Sequence, residues 1–318
     1  MEVVAERGVS ARRLILSGDA LARKQRRHFI LLVLIPHVFA MAALASLFWW
    51  PFAAPEAAAL GLMWIVTGIG ISTGYHRLFT HASFRTGPRV EMALAIAGSM
   101  AGQGAVTSWV SIHRHHHQLS DDVGDPHSPN LIVGGPLAKL RGWLHAHLTW
   151  MSQHEFPNPV HYARDILRKR HLSGISRHYY RWVAIGILIP AIAVALWEQS
   201  FTGLARGALW GGAVRLVILS NTIWAINSFL HLSGSRVFPT RDNSRNAPLL
   251  GLLSFGESFH NNHHAFPRSA ALGLGAPYLD PGYWMIALLR RMGLADTVWT
   301  PTPQMVRDRL TVGGGAET

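Results

Sequence analysis

The chain has 318 residues, 49% hydrophobic and 14% charged, with a formal net charge of +12 and no cysteine. So much apolar residue with so little charge is rare in a soluble domain of this size and usual in a polytopic membrane protein. Without cysteine, disulfides, iron–sulfur clusters and thiolate-ligated metals are excluded, so any redox chemistry must draw its electrons from another protein.

The first 28 residues are polar and basic, and no small-residue cleavage site follows a short apolar core. Four later stretches, 29–50, 57–75, 182–200 and 208–231, are long enough to cross roughly 30 Å of hydrocarbon. The turns between them at 51–56 and 201–207 are short, so the spans pair as two helical hairpins. Pro190 is expected to kink the third span, because its ring removes a backbone donor. Gly68-Ile-Gly-Ile-Ser-Thr-Gly74 has the wrong spacing for a dinucleotide loop and reads instead as a site of close helix packing. Residues 90–112 are apolar but carry Gly98, Gly102, Gln103 and Gly104, and read as a helix on or dipping into one membrane face.

This layout puts 27 of the 29 Lys and Arg on one side, with Arg206 and Arg215 the exceptions. The positive-inside rule makes that side cytoplasmic, with both termini on it. Arg215 is expected to snorkel outward. The same bias accounts for the positive charge, and with no nucleic-acid motif present, nucleic acid is not an expected partner. The division expected is a basic cytoplasmic segment at 1–28, a membrane domain at 29–300 and a polar tail at 301–318.

Three histidine clusters begin where apolar stretches end: His76-Arg-Leu-Phe-Thr-His81, His113-Arg-His-His-His117 and His260-Asn-Asn-His-His264. His113, His116, His117 and His260, His263, His264 have i, i+3, i+4 spacing, which shares one helix face. His76 and His81 lie about 140° apart on an ideal helix, so they converge only if the helix ends or distorts there, or they serve different metals. Asn227 and His231, at i, i+4, close the fourth span at the same depth. Nine imidazoles exceed what one ion accommodates, and nitrogen-rich ligation suits iron, zinc, copper or nickel, with two ions the natural count. Asn227 is a candidate for weak or water-mediated ligation. His115 falls off the shared spacing, and isolated histidines such as His37, His161 and His171 read as packing or surface residues.

In order along the chain stand His76-Arg77…His81, His113-Arg114…His117 with Asp125-Pro126-His127, Asn227-Ser228…His231, and the run from Gly256-Glu257 through His260 and His263-His264 to Phe266-Pro267. Together they resemble the boxes of the membrane fatty-acid desaturases, of the acyl-CoA (stearoyl-type) Δ9 branch and bacterial-like, over about residues 30–300. Ser258 and Phe259 depart from the glycine and tryptophan usual there, which bears on the acyl pocket rather than on the ligands.

The resemblance implies an all-α membrane fold: four transmembrane helices with a cytoplasmic helical cap carrying a di-iron site. It implies two iron ions (Fe2+/Fe3+) on His76, His81, His113, His116, His117, His231, His260, His263 and His264. Dioxygen, a fatty acyl-CoA or acyl-lipid substrate and an external donor of ferredoxin, rubredoxin-like or cytochrome b5 type complete the reaction. The cations Arg164, Arg168, Lys169, Arg170 and Arg177 are candidates to meet CoA phosphates. The expected location is the bacterial inner (plasma) membrane. Two other readings compete: a membrane hydroxylase or ketolase with the same metal chemistry, and a metal transporter, which should place ionisable ligands near the bilayer midplane.

Overall fold

The computed structural model describes residues 14–311 apart from 154, 275, 277 and 278. The expected basic segment and polar tail therefore lie partly outside the described residues. Four helices are long and apolar enough to cross a membrane: α1 (Asp19–Ser46), α2 (Ala54–Thr80), α7 (Tyr179–Glu198) and α8 (Phe201–Phe229). Between them lie α3 (Pro88–Met100), α4 (Val106–Leu119), α5 (Ala138–Leu144) and α6 (Arg170–Arg177); α9 (His260–Ala265), α10 (Pro281–Arg291) and α11 (Pro303–Thr311) follow. The described strands are two-residue pairs, β1 (Ile15–Leu16) with β3 (Phe156–Pro157) and β2 (Arg85–Thr86) with β4 (Ala295–Asp296), both antiparallel.

The chain divides into two compact units built of interleaved segments. The first comprises Met1–Ile71, Met92–Trp109 and Met151–Asn221; the second comprises Ser72–Glu91, Val110–Trp150 and Thr222–Thr318.

In the first unit the spans are longer than hydropathy alone suggests. α1 starts at Asp19, ten residues before the apolar stretch, because Ala, Leu, Arg, Lys and Gln favour helix and elongation is cheap once a helix is nucleated. The turn expected at 201–207 is itself helical. The real turn is Gln199–Ser200, with Gln199 left-handed and the Ser200 hydroxyl accepting from Gly203 N. Glycines here are helix contacts: a Cβ on Gly207 would lie 2.4 Å from the Pro190 carbonyl, and one on Gly211 2.4 Å from Pro190 Cβ. Likewise a Cβ on Gly70 would lie 2.2 Å from Gly98 N, so α2 and α3 meet backbone to backbone. Residues 90–112 form no span of their own, since α3 and α4 are separated by a turn in which Gly102 and Gly104 have positive φ. On the outside of the spans Phe39, Met41, Leu188 and Leu196 are exposed, as lipid-facing side chains would be.

Arg215 does not snorkel. It is fully buried, and its guanidinium donates to the carbonyls of Gly211, Met100 and Gly186 at 3.2, 2.7 and 2.9 Å. Gly186 is the residue whose carbonyl Pro190, four positions on, cannot bond, and Met100 ends α3, where carbonyls are also orphaned. Pro190 stands inside an uninterrupted helix, and Arg215 supplies the donor it lacks. Arg206, the other cation on the sparse side, pairs with buried Glu56 and with Glu198. Arg164, Arg168, Lys169, Arg170 and Arg177 are exposed, around the buried Ile166, Leu172 and Ile175.

The second unit holds every histidine cluster. Phe238, Ala265 and Phe266 form a buried apolar group onto which Leu274, Trp299 and Val306 pack. Val306 belongs to α11, so the first part of the polar tail is a packed helix. Asn261 accepts from Val237 N and Phe238 N and donates to Phe238 O, and Asn262 donates to Leu272 O. These two buried amides fix α9, six residues long, in place.

Candidate metal centre

His76 and His81 converge through a helical distortion. Over Gly70–Thr80 the second span is wound as a π-helix, and His81 N donates to His76 O, five residues back, at 3.2 Å. An i→i+5 turn brings the fifth residue nearly over the first, which closes the gap an ideal helix would leave; the two rings are 4.9 Å apart. Arg114 fixes the end of this helix by donating to the Phe79 and Thr80 carbonyls at 2.7 and 3.0 Å.

The nine histidines fall into two groups with ligand atoms close enough to share an ion: His76, His81, His113, His117 and His263, and His116, His231, His260 and His264. Each triplet helix serves both groups. On α4, His113 and His117 face the first group and His116 the second; on α9, His260 and His264 face the second and His263 the first. Thus the i, i+4 pair goes one way and the residue between goes the other. Asn227 lies half-buried in the last turn of α8, one turn before His231. His115 turns aside, its Nε2 on the Gly124 carbonyl at 3.1 Å.

The imidazoles point nitrogen at nitrogen. The Nε2–Nε2 separations are 3.0 Å for His76–His263, 2.8 Å for His117–His263, 3.1 Å for His113–His117 and 2.9 Å for His231–His260. Two nitrogens at right angles on an ion with bonds of ~2.1 Å would stand about 3 Å apart. The Nε2 atoms of His81, His116 and His264 are buried with no hydrogen-bond partner in the protein, an expensive arrangement unless something else accepts their lone pairs.

Carboxylates set which nitrogen is presented. His76 Nδ1 contacts Glu257 at 2.5 Å, and the Nδ1 atoms of His116, His231 and His264 donate to Asp125, Asp121 and Asp242 at 3.0, 2.9 and 2.6 Å. A proton held at Nδ1 leaves the Nε2 lone pair free for a cation. Asp125 also lies 3.8 Å from His127 Nδ1. The trio His116, Asp125 and His127 is close enough for an ion as well, but His116 already spends its Nδ1 on Asp125, so the trio supports the second group.

Burial holds the imidazoles of His81, His113, His117, His260 and His263 well below their ordinary value, with the neighbouring histidines adding to it. His264 is lowered to about 4 by burial, against the pull of Asp242. His116 moves the other way: burial would lower it, but Asp125, with Asp121 and Asp242 beyond it, raises it. Burial also raises Asp121 and Asp242, yet their hydrogen bonds with His231 and His264 bring both below the usual carboxylate range. Neutral imidazoles and ionised carboxylates are the protonation states that metal binding requires.

Arg77 anchors the centre from behind. It is buried, pairs with Asp280 at 2.8 Å and Glu257 at 3.4 Å, and donates to the carbonyls of Ala270 and Phe255 at 2.9 and 3.1 Å. A cleft of about 500 Å³ reaches His81, His117 and His264 and is lined by Arg114, Arg241 and Arg309.

The four carboxylates have no role that spacing along the chain assigns. Asp125 and Glu257 stand within the histidine boxes, where their neighbourhood is a signal. Asp121 and Asp242 have none, since they reach His231 and His264 only through the fold.

Four apolar helices and a close-set nest of nine buried or half-buried imidazoles define a helical membrane protein with a centre suited to metal. A family profile described as Fatty acid desaturase matches residues 48–281. The chain belongs to this family of oxidoreductases. It is 43% identical over 92% of its length, and 91% of the relative's, to the hex-5-enoyl-[acyl-carrier protein] acetylenase of Moorena producens. It is 34% identical to the sn-2 palmitoyl-lipid 9-desaturase of Nostoc, over 77% of this chain and 83% of that one. To Delta-9 acyl-lipid desaturase 1 of Arabidopsis thaliana it is 33% identical over 77% of its length and 76% of the relative's.

Proposed function

We propose that this protein removes two hydrogens from neighbouring carbons of a fatty acyl chain, using dioxygen and two external electrons, at a pair of irons held by His76, His81, His113, His117 and His263 and by His116, His231, His260 and His264. The observation that carries the reading is the division of nine convergent imidazoles into two adjoining groups. The reaction balances as a CH2–CH2 unit, O2, two electrons and two protons giving a CH=CH unit and two waters. Bound iron would supply the oxidant that unactivated methylenes demand, which zinc cannot. Asn227, one turn before His231, is a further ligand to the second group, directly or through water. The chain's own work is to orient His231, His116, His264 and His76 through Asp121, Asp125, Asp242 and Glu257, and to aim all nine imidazoles at the same two points.

The acyl donor divides into three readings. The acyl-lipid names of several relatives favour a lipid-bound chain and Δ9 insertion. The higher identity and coverage shared with the Moorena protein favour a chain carried as a thioester on acyl carrier protein, with a second round on an existing double bond yielding a triple bond. An acyl-CoA donor is the third option and relies on the exposed cations of 164–177. The cations beside His81 and His117 suit an acidic redox partner, because charge complementarity speeds encounter. We place the centre and both termini on the cytoplasmic side of a bacterial inner membrane, on the strength of the cation asymmetry.

Expression in a host lacking desaturases, with mass spectrometry of acyl chains and mapping of the new bond, tests the reading. New alkenes or alkynes are expected. Hydroxylated or keto chains alone would transfer the chain to the hydroxylase and ketolase chemistry. Supplying the purified protein with one saturated chain as phospholipid, carrier-protein thioester or CoA thioester then identifies the donor.

A further inference from the structure

The second unit carries an apolar surface that the metal centre does not use. Between Asn246 and His260 the chain makes a closed loop, with Ala247 N donating to Ser258 O at 2.9 Å across its neck. In this loop Leu249, Leu250, Leu252 and Leu253 are all exposed, Leu249 by 95%. Gly251 between them is buried, and a Cβ there would lie 2.5 Å from the Leu279 carbonyl. That contact sets the loop beside the start of α10. In turn α10 buries Gly282, Ile286 and Leu289 and leaves Trp284 and Leu288, one turn apart, exposed. Single apolar side chains on a surface are ordinary, but a cluster of this size marks contact with something apolar.

The depth of these segments identifies their neighbour. Ser72 Oγ donates to Phe255 O at 2.9 Å, and Thr73 Oγ1 donates to Gly282 O at 3.1 Å. The end of the loop and the start of α10 are thus fastened to α2 itself. Thr73 is the twentieth residue of that span, Ala54 being the first. Twenty residues at a rise of about 1.5 Å cover the roughly 30 Å of bilayer hydrocarbon. Both segments therefore stand where acyl chains give way to headgroups. The start of the loop is tied near a span too, since Arg245 N donates to Leu230 O, just past α8, at 2.8 Å. Cations stand beside the apolar residues: Arg290 and Arg291, in the last turn of α10, line a groove of about 380 Å³ with Tyr283, Ala287 and Val298.

We propose that the leucine loop at 248–253 and the outward face of α10 form an in-plane membrane anchor in the leaflet on the metal-centre side. The four leucines, Trp284 and Leu288 lie among acyl chains, and Arg290 and Arg291 meet lipid phosphates. Tryptophan suits that boundary because it is apolar with one polar edge, and arginine reaches outward from it on an apolar stem. Glu257, which contacts His76, and His260 follow Leu253 by four and seven residues, so the leaflet holds the segment that carries them. The anchor requires no metal, and its test is independent of the desaturase reading.

The test is photolabelling of the full-length protein, one chain per lipid nanodisc of phosphatidylcholine and phosphatidylglycerol carrying a diazirine in the acyl chain, followed by peptide mass spectrometry. Peptides covering 248–253 and 283–292 should be labelled as the spans are, whereas the turn around the exposed Val123 should not be. Because the chain has no cysteine, a single spin label at Leu250→Cys or Leu288→Cys then reads depth, expected at about 5–10 Å below the phosphates. Arg290→Gln with Arg291→Gln should move the Leu288→Cys label toward water. Unlabelled wild-type peptides, in discs whose spans are labelled, overturn the proposal without depending on any variant. So does loss of the label whenever two chains share a disc, which would make the surface a contact between copies. A Leu288→Cys label unmoved by the two arginine substitutions overturns the phosphate contacts.

Discussion

Arg215 in the first unit and His116 in the second are both wholly buried polar side chains, and they differ in what their polar atoms face. The guanidinium of Arg215 meets three backbone carbonyls. His116 places one nitrogen on Asp125 and leaves the other buried against imidazoles, with no hydrogen-bond partner in the protein. Burying a polar group is costly unless it is paired. A fully paired buried group therefore serves the fold, whereas a set of lone pairs left unpaired and aimed at one another marks a place built for something else. The first unit spends its polar residues on closing gaps in helices, and the second spends them on keeping a gap available.

The contrast breaks most visibly at His263, whose Nε2 lies 3.0 Å from that of His76 and 2.8 Å from that of His117. His263→Ala should remove the metal of the first group and all measurable desaturation while leaving the helical content intact. Iron per chain, acyl-chain analysis and circular dichroism on one preparation check this. Near-normal activity would sink the functional assignment of the whole cluster.

Acid should separate the two regions next. Folded-state imidazole values lowered by burial mean that the unfolded chain takes up more protons below the ordinary value of 6.5. Metal-free protein is thus fully stabilised by these groups above that value, and loses that contribution as pH falls through the window from 6.5 to about 4, where His264 titrates. His116, raised by Asp125, opposes the trend but is outnumbered. The thermal midpoint of metal-free protein should drop across this window. Protein loaded with metal should hold to lower pH, because protons must first displace the ions.

Arg215→Met tests the opposite arm. It strips donors from three carbonyls, at about 1–3 kcal/mol for each one left unsatisfied. The expected outcome is a lower thermal midpoint, with iron per folded chain unchanged. A variant with normal stability but no metal would put Arg215 in the metal-binding machinery and erase the contrast.

Much of this is legible in the sequence. Hydropathy located four spans because lipid tolerates only long apolar helices, and spacing found the histidines because helical periodicity is local. Three features escaped for the same reason: each depends on contacts made far away along the chain. Residues 201–207 look like a loop until Gly207 is seen against Pro190 and Gly203 against Ala195. Arg215 looks like an outward cation until Pro190 is seen to free a carbonyl for it. Asp121 and Asp242 carry no motif, and only the fold brings them to histidines 110 and 22 residues away. The π-helical winding at Gly70–Thr80 was visible indirectly, since five-residue spacing demanded some distortion.

The smallest effect is expected at His115, and it sharpens the contrast most finely. His115 sits between ligand candidates on α4, and a count of histidines alone would enrol it. Its Nε2 instead meets the Gly124 carbonyl at 3.1 Å, so in its bonding it belongs with Arg215. Burial lowers its imidazole too, but the Gly124 and Asp125 oxygens pull the other way, as befits a side chain paired within the protein. His115→Gln keeps a donor near Gly124 and should cost no more than about 1 kcal/mol. Iron per chain and desaturation should match wild type, because no ligand nitrogen has been moved. Loss of an ion from this variant would mean that ligand identity follows the sequence cluster and not the direction in which each imidazole points.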